Sequence, residues 1–157
     1  MPSRRQQIQL SAPEIDEFLR SQKTIVIVSN GKDGFPHPMP MWFYADDGGA
    51  IYCTTFARSQ KVVNLERDPR ATLLVETGEE YAELKSVLIY ARAEVVRDRD
   101  QVIDTLVKIN IKGRQAAPQE IEQLTAAVAG TAEKRVVLKF TPERYVSWDH
   151  GKLGGRY

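Results

Sequence analysis

The residues best suited to chemistry lie in one segment, 51–74, in which Arg58 and Lys61 follow closely on a polar corner. The segment begins as a strand, turns through a polar corner at residues 55–59, and continues as a short amphipathic helix before a second strand. Backbone N–H groups at a helix start attract anions, and side chains three residues apart on a helix share a face. The spacing therefore predicts that both cations point the same way and bind a phosphate at the end of a cofactor. An ordinary solvated helix face, with the cations paired to Glu66 or Asp68, is the alternative interpretation.

No comparable set of residues suggests metal binding or acid–base catalysis. The two histidines, His37 and His150, are isolated from each other. The single cysteine, Cys53, excludes an internal disulfide and the usual multi-cysteine zinc sites. Because no Ser-His-Asp triad or pair of carboxylates is recognisable, we assign no catalytic residue and no metal site.

Length and charge limit the possible functions. The 157 residues, 42% of them hydrophobic, suffice for one core. We expect a single domain over 1–157, with 1–10 as a flexible arm and 150–157 as a flexible tail. Lys+Arg 22 against Asp+Glu 21 gives a net charge of +1, which argues against nucleic-acid and membrane partners. Without an apolar leader or a stretch as long as a membrane span, the sequence indicates a cytoplasmic protein.

Alternating and turn-forming residues predict a mainly β fold with added helices. A capping box of Ser11 and Glu14 opens the first helix, and further helices are expected after residue 58, at 98–109 and at 118–128. The predicted strands span 24–28, 37–44, 50–54, 71–76, 84–96, 135–140 and 144–148. Short turns join most of these strands, so we expect a six- to seven-stranded antiparallel β-barrel of the α+β class, with a bend or bulge near Ala91.

The segment 37–44 is predicted to be an edge strand. It contains Pro38 and Pro40, which cannot donate a ladder hydrogen bond. A ligand is one candidate for the open side of this strand. Trp42 and Phe43 point to opposite faces, so one of them is expected in the core.

A resemblance to the pyridoxamine 5'-phosphate oxidase-like, or flavin/deazaflavin oxidoreductase, superfamily is carried by GFPHPMPMWFYADDGGAIYCTTFARSQKVVNLERDPRATLLVE followed by VLIYARAEVV. The match covers about residues 24–98, with a looser fit at VVLKFTPERYVSWD. Its most specific part is the fixed order of strand, threonine, R-x-x-K, N-L and D-P-R.

The resemblance implies an FMN-binding-like split β-barrel that forms a homodimer, with two cofactor sites at the subunit interface. The family's phosphate-binding lysine corresponds to Lys61 and its strand-end threonine to Thr54. The full set of implied cofactor-binding residues is Lys61, Arg58, Ser59, Gln60, Thr54, the ring-lining Met39, Pro40, Met41 and Trp42, and Ser86 from a second subunit.

Two departures bear on which cofactor is bound. The flavin mononucleotide (FMN) oxidases of the family have an arginine just before the ring-lining strand, where this chain has Pro38. Residues 149–157 also lack the arginine- and histidine-rich pattern with which the same oxidases bind pyridoxine phosphate, which argues against vitamin B6 oxidation. The run from Arg58 through Lys61, Asn64 and Asp68 is similar to the subgroup that uses the deazaflavin coenzyme F420. We therefore predict F420, with FMN as the alternative.

Three functions follow from the resemblance. The first is an oxidoreductase in which reduced F420 transfers a hydride to a small conjugated or carbonyl-bearing acceptor. The second is an FMN-dependent flavin reductase or oxidase. The third is a non-catalytic dimer that binds a cofactor, haem or a lipid-like ligand.

Overall fold

The computed structural model describes residues 3–154, which form a seven-stranded antiparallel sheet and five α-helices. The strands are β1 Thr24–Asn30, β2 Pro36–Trp42, β3 Tyr44–Ala45, β4 Ile51–Phe56, β5 Arg70–Thr77, β6 Lys85–Val96 and β7 Arg135–Asp149. The helices are α1 Arg4–Gln7, α2 Ala12–Ser21, α3 Gln60–Arg67, α4 Arg99–Ile111 and α5 Pro118–Ala132, with 3-10 turns at Tyr81–Glu83 and His150–Leu153. The predicted α+β class and its seven antiparallel strands are confirmed.

The sheet curls into a half-barrel because its two edge strands are almost consecutive in the chain. The strand order is β2-β1-β5-β6-β7-β4-β3. A single residue, Phe43, separates β2 from β3, and its side chain is fully buried. The edge position predicted from the prolines is therefore confirmed. The expected strand 37–44 is instead two strands, because Phe43 turns into the core while Trp42 remains outside.

The last part of the sheet also differs from the prediction. Residues 135–140 and 144–148 belong to one fifteen-residue strand, β7, which continues through Pro142. Its register with β6 shifts between Tyr90 and Ala91, where the bulge was expected. Pro142 is tolerated because β4 pairs with β7 only up to Phe140, so this part of β7 has β6 as its one neighbour, and the bulge lies directly beside it.

Alternation along the strands separates two faces. The inner face of β1, β4, β5 and β6 forms the main core, which includes Ile27, Cys53 and Leu73. Helices α2 and α3 contribute Phe18, Leu19, Val62 and Leu65 to that core. A second cluster of Val102, Ala132 and Val137 packs α4 and α5 against β7.

The described parts of the predicted arm and tail contact each other and the sheet. Asp149 donates its backbone N–H to the carbonyl of Ile8 at 2.7 Å, and Lys152 Nζ donates to the carbonyl of Gln9 at 2.8 Å. Leu10 is buried. Residues 1–2 and 155–157 of those segments lie outside the described part of the chain. Between residues 3 and 154, none of the helices has the length and apolar character needed to cross a membrane.

Candidate functional site

Lys61 is buried at the junction of β4 and α3, with only 7% of its surface exposed. Its ammonium donates to Thr55 Oγ1 at 3.0 Å, and Thr55 Oγ1 lies 3.3 Å from Ser59 Oγ. Thr55 is near the end of β4, and Ser59 is the N-cap of α3. These three residues, which we call the Lys61 corner, place a cation and two hydroxyls at the start of a helix.

The charge of the Lys61 corner is not neutralised within the described part of the chain. Among residues 3–154, no carboxylate forms a salt bridge with Lys61. Burial lowers the pKa of Lys61. A buried ammonium with one neutral partner is unfavourable unless an anion joins it, and a helix N-terminus favours the same kind of ligand. The corner therefore suits a phosphate.

The helical spacing on which the pairing of Arg58 with Lys61 was predicted is not observed, and the cofactor role of Arg58 stays a prediction. The helix begins only at Gln60, so Arg58 lies in the preceding turn and the helical spacing rule does not apply to it. Arg58 is exposed and lines a different cleft of about 530 Å³ with Phe56, Ala57, Glu133 and Lys134.

The alternative pairing with nearby carboxylates is also not observed. Glu66 pairs with Arg97, and Asp68 pairs with Arg70 at 2.7 Å. The side-chain hydrogen bonds and the charge–charge contact that Asp68 makes with Arg70 hold the pKa of its carboxyl well below the usual range. Both acids are thus engaged by other cations and do not pair with Lys61.

The threonine beside Lys61 is Thr55, whereas the resemblance singled out its neighbour Thr54 as a cofactor-binding residue. Thr54 faces away from Lys61: it lies opposite Val137, which packs with α4 and α5. Thr55 shares the inner face with the fully buried Ile51 and Cys53. Sequence reasoning missed Thr55, although the alternation from two apolar residues could have identified it. The cofactor role of Thr54 stays a prediction.

Gln60 belongs to a chain of polar side chains on the other side of α3. Its Nε2 donates to Asn64 Oδ1 at 2.9 Å, and Asn64 Nδ2 donates to Ser29 Oγ at 3.0 Å. Asn64 and Ser29 are fully buried. A cleft of about 560 Å³ opens beside Gln60 and Asn64, and its opposite wall is the connection between β1 and β2. The predicted site residue Gln60 therefore lines this cleft, and it is the neighbour of Lys61 in the chain.

The four predicted ring-lining residues are divided between the two faces of β2. Met39 and Met41 lie on the inner face, opposite the fully buried Ile27 and Ile25. Pro40 and Trp42 lie on the outer face, where Trp42 is 55% exposed. Only two of the four can therefore contact a ligand on either face within one copy of the chain.

The outer face of the sheet carries a continuous apolar row. Cross-strand pairing aligns five partly or fully exposed residues, Pro40, Val26, Leu74, Leu88 and Val146, which we call the outer row. Ser86 follows on the same face of β6 but is buried, and its hydroxyl donates to the carbonyl of Val75 at 3.1 Å. Exposed apolar patches of this kind mark interaction surfaces.

Comparison with known proteins gives one family match and several structural matches. The family model for pyridoxamine 5'-phosphate oxidase matches residues 11–149. No curated protein is significantly similar to the chain in sequence.

A conserved hypothetical protein from Mycobacterium tuberculosis is 33% identical; the match covers 99% of this chain and 95% of that chain, with a TM-score of 0.85. An F420 reductase is 18% identical, with 83% and 94% coverage and a TM-score of 0.62. The haem storage protein HutZ from Vibrio cholerae is 18% identical, with 88% and 96% coverage and a TM-score of 0.64. At these identities the last two matches show a shared fold.

Proposed function

This chain belongs to the pyridoxamine 5'-phosphate oxidase family, and on that premise we propose that it is an F420-dependent oxidoreductase. Reduced F420 would transfer a hydride to a small conjugated or carbonyl-bearing acceptor. The observation that carries the proposal is the buried, un-neutralised ammonium of Lys61 beside Thr55. The shared fold with an F420 reductase supports the choice of coenzyme.

The Lys61 corner fits the phosphate of such a coenzyme. Lys61 supplies the positive charge, Thr55 holds the ammonium in place, and the first N–H groups of α3 point toward an anion at the helix start. When bound, the coenzyme itself supplies the hydride-donating carbon. The protein then needs to bind the phosphate, orient the ring and exclude water, which requires no nucleophile and base pair.

We propose that a homodimer is the active form. The outer row offers an apolar surface across five strands, and Pro40 and Trp42 of the predicted ring-lining strand lie on that face. A second copy packed on the outer row would bury Trp42 and bring residues of two chains together around one ligand. Light scattering tests the dimer, and a monomer at micromolar concentration would count against it.

FMN is the second candidate coenzyme, because the Lys61 corner recognises a phosphate and does not distinguish the rings. Pro38, which is exposed on the outer face, offers no cationic partner for a second contact. This feature favours F420 over FMN.

The deciding experiment is a titration of the purified protein with F420 and with FMN, followed by tryptophan fluorescence. We expect F420 to bind in the micromolar range, about 8 kcal/mol, and FMN more weakly. Binding of neither coenzyme below about 1 mM would overturn the proposal. Tight binding without any hydride transfer to quinone-like or carbonyl acceptors would instead indicate a carrier.

A further inference from the structure

The cleft between α3 and the β1–β2 connection contains an aromatic side chain, Phe35, that the protein does not use for packing. Phe35 is 75% exposed, the highest value among the large apolar side chains of residues 3–154. The cleft has a volume of about 560 Å³. Its other lining residues are Gly31, Lys32, Asp33, Pro36, His37, Gln60 and Asn64. Sites for small organic ligands have volumes of about 300–1,000 Å³, so the cleft is large enough for one.

The backbone of Phe35 is held by the turn that contains it. Gly31 donates its N–H to the carbonyl of Phe35 at 3.0 Å, and the N–H of Phe35 donates to Asp33 Oδ1 at 3.1 Å. A Cβ at position 31 would lie 2.5 Å from the carbonyl oxygen of Phe35, so this close approach requires a glycine. The ring of Phe35 is therefore presented to the cleft by an ordered turn. An apolar ring that is ordered but exposed gains free energy when a ligand covers it.

The α3 side of the cleft supplies a hydrogen-bond donor. Gln60 Nε2 carries two N–H groups, one of which donates to Asn64 Oδ1 at 2.9 Å. Within residues 3–154 the second N–H has no acceptor. Asn64 is already engaged, since its own amide donates to Ser29. Gln60 therefore has one donor available for a carbonyl oxygen in the cleft.

The lining of the cleft favours an uncharged ligand. Lys32 and Asp33 are its one lysine and its one acid, and their charges are opposite. The lining thus has no surplus of permanent charge that an ionic ligand would neutralise. This distinguishes the cleft from the Lys61 corner, where a buried ammonium has a single hydroxyl partner, Thr55.

The cleft adjoins the proposed coenzyme site through Gln60, which lines it and precedes Lys61 in the chain. A hydride acceptor must contact the coenzyme, so its site is expected next to the residues that hold the coenzyme. The cleft at Arg58 also contains an exposed phenylalanine, Phe56, but the guanidinium of Arg135 lies 4.4 Å from the centre of that ring. Phe35 has no such contact among residues 3–154.

We propose that the cleft binds the hydride acceptor, and that Phe35 and Gln60 select a flat, uncharged, conjugated carbonyl compound. The ring of the acceptor stacks on Phe35, and its carbonyl oxygen accepts the second N–H of Gln60. The inference rests on the proposed function, because reduced F420 supplies the hydride. When the hydride adds to the conjugated carbon–carbon double bond, an electron pair moves onto the carbonyl oxygen, which then takes a proton from water. Gln60 stabilises the negative charge on that oxygen.

The test compares two enones that differ only in their aromatic ring, benzylideneacetone and ethylideneacetone. Isothermal titration calorimetry gives the Kd of each for the coenzyme-free protein, and turnover with reduced F420 gives KM and kcat. Phe35→Leu removes the ring but keeps an apolar side chain, whereas Phe35→Tyr keeps the ring. Phe56→Leu is the matched control, because Phe56 is an exposed phenylalanine at a different cleft. Circular dichroism verifies that each variant is folded.

We expect the wild type to bind benzylideneacetone at least about tenfold more tightly than ethylideneacetone. Phe35→Leu should reduce this preference about threefold to tenfold, in Kd and in KM, with little change in kcat. Phe35→Tyr and Phe56→Leu should keep the preference. Gln60→Leu should weaken both enones alike, by about twofold to tenfold, since both carry the carbonyl. The para-carboxylate derivative of benzylideneacetone should bind no more tightly than the parent compound.

Four results would overturn the acceptor site while leaving the proposed function intact. They are failure of the wild type to bind either enone, an unchanged preference in Phe35→Leu, tighter binding of the carboxylate derivative, and a weaker Kd of F420 in Phe35→Leu. The last result would mean that the coenzyme itself fills the cleft. Absence of F420 and FMN binding to the wild type, measured in the same preparation, would instead overturn the proposed function and the acceptor site with it.

Discussion

Lys61 and Lys112 are both largely buried, but they differ in how many protein groups their ammoniums contact. Lys112 ends α4 and donates to the carbonyls of Leu19 and Gln22 at 2.9 and 2.6 Å. Its ammonium also lies 3.4 Å from the ring centre of Phe43. Lys61 has one hydroxyl partner, Thr55. Burial lowers the pKa of both groups, so both ammoniums lose solvation.

The difference teaches which buried charge serves structure and which is available to a ligand. The two carbonyls belong to the end of α2, so Lys112 joins α2 to α4. Its ammonium lies over Phe43, the residue between the two edge strands β2 and β3. Its donors are used by the protein. The donors of Lys61 are mostly unused, and it lies at a helix start that favours anions. A buried ammonium that loses its water and gains few protein hydrogen bonds is expected at a site where a ligand supplies the missing partner.

The largest expected effect comes from replacing Lys61 with methionine, which keeps the bulk of the side chain. Loss of a charge-assisted contact should weaken coenzyme binding by about 1.5–3 kcal/mol, while the free energy of unfolding is unchanged or slightly higher. Fluorescence titration and urea unfolding measure the two quantities. Exposed Lys108→Met on α4 is the matched control, and unchanged affinity in Lys61→Met would remove the basis for a phosphate site.

Replacing Lys112 with methionine should reverse the pattern. The carbonyls of Leu19 and Gln22 would lose their donor, which should lower the free energy of unfolding by about 1–3 kcal/mol. Coenzyme affinity should be unchanged. If urea unfolding shows wild-type stability, the structural role assigned to Lys112 is wrong.

A smaller effect separates the two threonines. Thr55→Val removes the hydroxyl partner of Lys61 and should weaken coenzyme binding by about 0.5–1.5 kcal/mol. Thr54→Val is the matched control, because Thr54 faces α4 and α5 and should leave affinity unchanged. The opposite ranking would support the original assignment of Thr54 and place the phosphate elsewhere.

A further effect is a change of stability with pH. Burial lowers the pKa of Lys112 from 10.5 to about 8. Between these values the unfolded chain binds more protons at Lys112 than the folded chain does, so Lys112 by itself makes the free energy of unfolding rise with pH from about 8 to 10.5. Cys53, whose pKa burial raises to about 12, acts in the opposite direction. The neutral amine still has two N–H donors for the two carbonyls. Thermal unfolding at several pH values should show a shallower rise of stability with pH in Lys112→Met than in the wild type. The pKa of Lys61 is lowered in both proteins, so the difference in slope between the two proteins reports on Lys112.

Much of the fold could be predicted because its signals are local. Ser11 and Glu14 mark the start of α2, where Glu14 accepts from the Ser11 N–H at 2.6 Å. Pro38 and Pro40 identify an edge strand because proline lacks the donor that a central strand needs. The bulge at Ala91 and the period of α4 and α5 are likewise visible in short windows.

The candidate site was predicted only in part, because its geometry changes when a helix start or a strand end moves by one or two residues. Lys61 and Gln60 lie where the sequence placed them, at the start of α3, but the helix begins two residues after Arg58, so Arg58 lies in the preceding turn and lines another cleft. Thr55, and not Thr54, contacts Lys61 because successive strand residues face opposite sides. The single strand β7 was divided in the prediction because Pro142 is a strong turn signal in isolation.

The sequence by itself determined the α+β class, the edge strand and the family resemblance, and it singled out Lys61 as the candidate anion-binding cation, since these follow from residue types and their local order. Only the tertiary structure decided that Lys61 is buried beside Thr55 without a carboxylate, that Lys112 is satisfied by α2, and that Phe35 and Gln60 line one cleft. These contacts join residues distant in the chain. Burial and charge pairing depend on which distant groups meet, and no local pattern records that.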